Sequence, residues 1–145
     1  MKTFRFRLDR VLDLWTNQLK AEEAKLEQLW VRRKELENEI ESLDASVEQA
    51  RSSTQSRQFV QPSDLIALEL FNRRVDRERE EAFARLRAHD EMVEKQRQAV
   101  VEARGKVRLL ERLREKRKAD WQSAADKELE ELAADFAGAQ WMRLR

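Results

Sequence analysis

The sequence predicts an all-α fold: an antiparallel two-helix coiled-coil hairpin in which the second helix is the longer one. The 145 residues include only 2 Gly and 1 Pro, too few for the tight turns of a β-sandwich, a barrel or a wound α/β sheet. Charged residues make up 41% of the chain while the net charge is only +1, which is typical of long solvated helices. Apolar residues recur in alternating steps of four and three, which indicates a coiled coil.

The first helix is predicted over about residues 5–56. From Leu8 to Ala50 the four-three stepping gives thirteen positions, of which eleven are apolar and only Glu22 and Arg33 are not. A narrow apolar seam of this length is typical of a coiled coil rather than of a helix on a globular core.

A loop is predicted at about residues 57–62. The preceding run, residues 51–58, has no apolar side chain, and its Ser and Thr hydroxyls compete with helical hydrogen bonds. Pro62 disfavours helix at the residue before it. Ser63 and Asp64 can cap or charge-stabilise the start of a second helix.

The second helix is predicted over about residues 63–137. Its seam runs from Leu65 to Leu110 and is apolar at ten of fourteen positions, after which the stripe continues with a different offset, as a stutter or a change of partner would produce. Gly138 is the expected stop before a short tail. The whole chain, 1–145, is then a single coiled-coil domain. A short loop makes the helices antiparallel, so residue i faces roughly 120 minus i.

The composition argues against an enzyme and against any cofactor or metal. There is no Cys, no Tyr and one His, His89, so a zinc knuckle or other metal cluster of His and Cys cannot be built, and a catalytic triad could use only that residue. Six polar residues interrupt the seams and are expected to fix register or to extend out of the seam. A role for His89 as a catalytic base or pH switch is disfavoured, because no nucleophile lies near it. The interrupting residues are Glu22, Arg33, Asn72, Arg79, His89 and Gln96.

The sequence pattern predicts neither a membrane-spanning helix nor a secretory signal. No apolar run approaches the roughly 20 residues that a membrane-spanning helix needs. The N-terminus alternates apolar and basic residues and lacks the apolar stretch of a secretory signal. The expected location is therefore the cytosol.

Charge is distributed unevenly. Segment 104–118 has eight basic and two acidic residues, whereas segment 119–136 has six acids and only Lys127 as a base. The hairpin would bring the first segment beside the basic N-terminus. Such an end could bind nucleic acid through phosphates, but it has no internal aromatic platform for stacking bases. A solvated face is the plain interpretation, and a docking surface for an acidic protein is the preferred functional one.

Large apolar residues outside the seam suggest further contacts, since exposed apolar clusters often mark partner surfaces. The alternative is that some of them widen the seam. One patch is expected near the loop, where Ile66, Leu70 and Phe71 would lie opposite Leu43 and Val47. The other off-seam residues are Trp30, Val31, Phe83, Met92, Val101, Leu109, Trp141, Met142 and Leu144.

Both ends of the chain resemble the FliJ family of the bacterial flagellar export apparatus. Residues 4–14 read F-x-F-R-L-x-x-V-L-x-L and are followed by E-E-A-K at 22–25; residues 110–117 read L-E-R-L-R-E-K-R and are followed by Trp121 and by K-E-L-E-E-L-A at 127–133. Family members commonly end in a related K-LDE-A pattern, from which Glu130 departs where Asp is frequent. The resemblance covers nearly the whole length, and its terminal motifs are the most specific part.

The resemblance implies a non-enzymatic central stalk. Such proteins are antiparallel coiled coils that serve flagellum biogenesis, motility and chemotaxis. They insert their paired ends into the hexamer of the export ATPase, FliI, promote its assembly and activity, and contact the export gate FlhA and export chaperones. The implied protein is cytoplasmic, peripheral at the inner membrane through the export apparatus, and monomeric when free. An injectisome stalk of the YscO type, a generic coiled-coil scaffold and a nucleic-acid-binding rod remain alternatives.

Two sets of contact residues follow as hypotheses. The basic set is expected to meet acidic groups in the ATPase pore and comprises Arg5, Arg7, Arg10, Arg112, Arg114, Lys116 and Arg117. The apolar set near the loop is expected to contact the export gate and comprises Leu43, Val47, Leu70, Phe71 and Val75.

Overall fold

Two long helices account for nearly all of the computed structural model, which describes residues 2–145. Helix α1 spans Asp9–Gln55 (47 residues), and helix α2 spans Pro62–Arg143 (82 residues). The described residues contain no β-strand. The all-α prediction is confirmed, as is the greater length of the second helix.

The chain before α1 is not helical, although the sequence predicts a helix from about residue 5. Residues 2–6 have no regular secondary structure, and a turn at Arg7 and Leu8 leads into α1 at Asp9. Phe6 is buried, and the Phe4 ring contacts Trp121. Residues two apart point to the same side of an extended chain but to different faces of a helix. The Phe-x-Phe spacing therefore favours a non-helical segment, hereafter the N-terminal arm (residues 2–8).

The connection between the helices lies where the sequence predicts it. Pro62 is the first residue of α2, a position where its missing N–H costs nothing and its fixed φ suits the helix. The backbone N–H of Gln61 donates to Asp64 Oδ2 at 3.1 Å, in the manner of a capping box. Arg57 also forms an ion pair with Asp64 at 3.2 Å. One carboxylate thus fixes both the loop and the start of α2.

Helix α2 continues through Gly138, so the predicted stop at that residue is wrong. No described glycine has a positive φ, and a Cβ at Gly138 would meet nothing within 4 Å. Glycine in a helix interior costs only about 0.5–1 kcal/mol relative to Ala. The surrounding Ala residues are good helix formers, so the helix extends to Arg143.

The described residues group into two compact units. The terminal unit contains the residues up to Lys20 together with Val101–Arg145, and the middle unit contains Ala21–Val100. In the terminal unit, Leu12, Val107 and Leu110 form a buried cluster. It is flanked by partly buried Val11, Trp15, Leu19 and Leu113. In the middle unit the buried apolar residues are Leu36, Ile40, Val75, Ala82, Val93 and Val100.

Polar seam residues of the middle unit are largely paired across the two helices. His89 Nε2 lies 2.6 Å from the carbonyl oxygen of Leu29, so the ring N–H donates, because a carbonyl can only accept. The amide of Gln96 donates to the backbone oxygen of Glu22 at 2.9 Å and also to its carboxylate. These bonds hold one particular register, which supports the structural interpretation of His89.

Two further pairs in the middle unit involve arginines. Arg33 Nε donates to Asp90 at 2.6 Å, and Arg79 forms an ion pair with Asp44 at 3.2 Å. The hydrogen bond to Asp90 raises the pKa of Arg33, with the charges of Asp90 and Glu37 adding to the effect against the opposing desolvation of the guanidinium. Asn72 differs, because its Oδ1 is buried without a hydrogen-bond partner.

Candidate docking site in the terminal unit

The N-terminal arm is held on α2 by aromatic contacts. The rings of Phe4 and Trp121 have centroids 6.0 Å apart with planes inclined at 50°, a tilted arrangement that aromatic pairs favour. Trp121 Nε1–H donates to the backbone oxygen of Lys2 at 3.2 Å. Phe6 is buried. These contacts order the arm, although it forms no helix of its own.

A half-open cleft of about 900 Å³ lies between the arm and α2. Its volume falls in the range of small-ligand and peptide-anchor sites. Aromatic and aliphatic side chains supply its apolar surface, and four cations stand around them. The lining residues are Lys2, Thr3, Phe4, Arg5, Phe6, Arg7, Leu8, Leu113, Arg117 and Trp121. Cations beside an apolar surface favour a group that combines a carboxylate with an apolar neighbour.

The structure brings together part of the predicted basic set. Arg5, Arg7 and Arg117 all line the cleft. Arg114 instead forms an ion pair with Asp9 at 3.6 Å, an exposed interaction that contributes little free energy. The remaining members are exposed in the same unit but do not line the cleft: Arg10, Arg112 and Lys116.

Sequence reasoning identified three of the ten residues that line this site and missed the other seven. The missed residues come from the arm and from α2: Lys2, Thr3, Phe4, Phe6, Leu8, Leu113 and Trp121. The signal for the arm was present as alternation between apolar and basic residues over 4–8, because a period of two indicates extended chain rather than helix. The pairing of that arm with Trp121 is a tertiary contact that no local pattern encodes.

The predicted apolar patch lies in the middle unit and is unevenly exposed. Leu70 is 61% exposed, whereas Val75 is only 2% exposed. Phe71 is half-buried, and the Arg74 guanidinium lies 5.6 Å from its ring centroid. Leu43 and Val47 are also half-buried. Val75 therefore serves the packing of its unit, and Leu70 is the member of the set that offers the most surface.

Across residues 2–145, no group of three or more His, Asp or Glu side chains is placed to hold a metal ion. Neither helix in that part of the chain has a stretch long and apolar enough to cross a membrane.

Comparison of the chain with protein-family models, curated proteins and solved structures finds no match. The candidate site is therefore interpreted from its own chemistry. The cleft offers cations and aromatic surface, which suits recognition of an acidic protein segment.

Proposed function

We propose that this protein is a FliJ-like central stalk, a non-enzymatic component of the flagellar protein-export machine. Its terminal unit enters the ring of the export ATPase, promotes assembly and activity of that ring, and acts at the cytoplasmic face of the inner membrane. One observation carries the proposal: residues from both ends of the chain belong to one compact unit, where Arg5 and Arg7 from the N-terminus meet Arg117 from α2 around one cleft.

The proposed fold is an antiparallel two-helix coiled coil, and the order of contacts within each unit supports it. In the terminal unit, Lys2 pairs with Trp121, Asp9 with Arg114, and Trp15 with Lys106. As the first number rises, the second falls. The same order holds in the middle unit for Glu22 with Gln96, Leu29 with His89, Glu39 with Arg85, and Asp44 with Arg79. These pairs lie close to the predicted relation of roughly 120 minus i.

The mechanism is electrostatic docking of a narrow stalk in a ring. A two-stranded coiled coil is about 20 Å across, two helix diameters, narrow enough for the pore of a hexamer. Cations on the stalk attract acidic groups of the ring and orient the encounter. The apolar surface of the cleft then excludes water from the ion pairs formed there, which strengthens them.

The test measures ATP turnover by the export ATPase of the same organism with and without this chain. Neutralising the cleft cations as Arg5→Gln/Arg7→Gln/Arg117→Gln is expected to leave helix content intact and to weaken stimulation about tenfold or more. The matched control neutralises three exposed arginines of the middle unit, Arg73→Gln/Arg74→Gln/Arg77→Gln, and should stimulate like wild type. Full stimulation by the cleft variant would exclude the proposed ring contact.

Contact with the export gate is proposed for the middle unit. Leu70 supplies the most exposed surface of the predicted set, and Phe71 lies beside it. Leu70→Ser/Phe71→Ser is expected to weaken binding to the FlhA-like gate protein, measured by titration calorimetry. Val31→Ser, at another exposed apolar position of the unit, is the control. Unchanged gate binding by the double variant would count against this contact. Export chaperones are proposed partners without assigned residues.

A second candidate is a coiled-coil scaffold, favoured by exposed apolar residues outside the seam such as Val31, Met92, Val101 and Leu109. Sedimentation separates the two, because a stalk is monomeric when free and a scaffold self-associates. An injectisome stalk of the YscO type has the same plan, and stimulation of an injectisome rather than a flagellar ATPase would identify it. A salt-dependent shift with DNA or RNA would indicate nucleic-acid binding instead.

A further inference from the structure

The last part of α2 presents an apolar face to solvent. Every residue from 126 to 145 is exposed. Leu129, Leu132 and Phe136 are 55%, 54% and 73% exposed, and their spacing of three and four residues places them on one side of the helix. Three large apolar side chains in a row on an ordered helix are more than the scattered apolar residues of an ordinary surface.

The face that carries Leu129, Leu132 and Phe136 continues a face of α2 that the N-terminal arm already covers. Ala125 lies four residues before Leu129 on the same side of α2 and is buried. Together with Lys2 of the arm, Trp121, Ala124, Ala125 and Glu128 border a smaller cleft. The arm therefore covers the face near Trp121, and Leu129 is the next position along it. The segment that occupies this part of the face alternates basic and apolar residues, from Lys2 and Phe4 to Arg7.

The charges beside the exposed face are acidic. At 100° per residue, Glu128 and Asp135 lie along one edge of the apolar row and Asp126 along the other, while Glu130 and Glu131 lie further round the helix. The only base among residues 126–139 is Lys127, which falls on the opposite side of the helix. We refer to Leu129, Leu132 and Phe136 with these flanking carboxylates as the acidic-edged stripe.

The charge pattern selects among possible occupants. Two copies of the chain that paired this stripe with itself would place carboxylates against carboxylates, which is unfavourable. A partner helix whose apolar row is flanked by Lys or Arg would bury Leu129 and Leu132. Its cations would then pair with the carboxylates along the edges of the stripe. Coiled-coil partners are chosen by the same combination of apolar seam and flanking charge.

We propose that the acidic-edged stripe is a docking site for an amphipathic helix of a partner protein, one whose apolar row is flanked by Lys and Arg. This surface is separate from the cationic cleft proposed to meet the ATPase ring, and it has the opposite charge. The stalk would thus hold a second partner on the same unit, selected by basic rather than acidic residues.

The test uses the full chain and two synthetic helical peptides with the same leucine heptads, one with Lys and Arg at the flanking positions and the other with Glu there. Fluorescence anisotropy is expected to show binding of the basic peptide only. Leu132→Ala/Phe136→Ala should weaken it about tenfold or more, while Ala preserves the helix. The control, Val101→Ala/Leu109→Ala, removes two other exposed apolar side chains of α2 and should bind like wild type.

A second variant tests charge without touching the apolar row. Asp126→Asn/Glu128→Gln/Asp135→Asn is expected to weaken binding of the basic peptide and to reduce its salt dependence. Equal binding of both peptides, or unchanged binding by either stripe variant, would overturn the proposal. Self-association that Leu132→Ala/Phe136→Ala abolishes would assign the stripe to a second copy and overturn it as well. Because the ATPase is absent, these outcomes are independent of the ring contact.

Discussion

The terminal and middle units are built from the same heptad pattern but are stabilised differently. The terminal unit has a cluster of Leu12, Val107 and Leu110 and an aromatic arm against Trp121. The middle unit places polar residues in its seam and pairs them, as with Gln96 on Glu22 and His89 on Leu29. Apolar clusters supply free energy but tolerate sliding, whereas buried polar pairs specify register.

The difference between the two units shows which of them can keep exposed binding surfaces without loss of stability. The middle unit places polar side chains between its helices, where their hydrogen bonds fix the register of the two helices. The terminal unit leaves cations around a cleft and an apolar row exposed on α2, and both are available for partners. Four changes can break or sharpen this comparison.

The largest effect is expected from truncating the apolar cluster of the terminal unit. Leu110 is 5% exposed, so Leu110→Ala should lower the free energy of unfolding by about 2–5 kcal/mol through lost burial and a residual cavity. Urea unfolding followed by circular dichroism measures it. Leu14→Ala, at a position that is 64% exposed, is the control and should change little. Equal losses for both would show that the cluster is not a stabilising core.

A smaller effect is expected from the polar pair of the middle unit. Gln96→Leu removes the cross-helix hydrogen bond to the half-buried Glu22 carboxylate, which keeps its ion pair with Lys25 at 3.6 Å, and should cost about 1–3 kcal/mol. Replacing both residues, as Glu22→Leu/Gln96→Leu, should recover that loss, because an apolar pair needs no hydrogen bond. A double-mutant cycle in urea provides the measurement. Additive losses in the double variant would argue against a specific pair.

The arm contact should contribute less again. Trp121→Ala removes the ring beside Phe4 and the hydrogen bond to Lys2, and the aromatic pair alone is worth about 0.5–1.5 kcal/mol. Trypsin should then cleave after Arg5 and Arg7 several-fold faster, because the arm is released more often. Trp141→Ala, at an exposed tryptophan of the same helix, should leave the cleavage rate unchanged. Identical rates for both variants would mean that Trp121 does not hold the arm.

The smallest effects are expected at the two glycines of α2. A Cβ at Gly105 or Gly138 would meet nothing within 4 Å, so Ala is accommodated and should gain about 0.5–1 kcal/mol of local helix stability. Gly105→Ala should raise the midpoint of urea unfolding, because Val107, two residues further along the helix, packs in the cluster. Gly138→Ala should raise helix content with little change in midpoint. A lower midpoint for Gly105→Ala would reveal a close contact at that position.

Local pattern was enough to predict the helices and most of the seam. Leu36, Ile40, Val93 and Val100 fall on predicted seam positions and are buried, because four-three stepping puts such residues on one face. Leu65 is an exception, being largely exposed beside the loop. The ends of the helices were predicted less well, since Gly138 and the arm depend on competition between helix propensity and contacts that local sequence does not describe.

The candidate site was predicted only in part for the same reason. Arg5, Arg7 and Arg117 were identified from charge, but charge alone did not separate them from Arg112 or Lys116. The arm contact with Trp121 makes that distinction. In the middle unit, the four-three stepping places Val75 in the seam and Leu70 outside it, and the structure buries Val75 and exposes Leu70, although the predicted gate-contact set grouped the two.

By itself, the sequence determined that this protein consists of two long helices, where they are joined, and which face of each is apolar. Those properties follow from residues a few positions apart, whose spacing and backbone preferences act locally. Only the tertiary structure decided that the N-terminal arm is not helical, that the Phe4 ring packs on Trp121, and which cations border a cleft. These contacts join residues far apart in the chain, and their free energy depends on burial that exists only after the ends have come together.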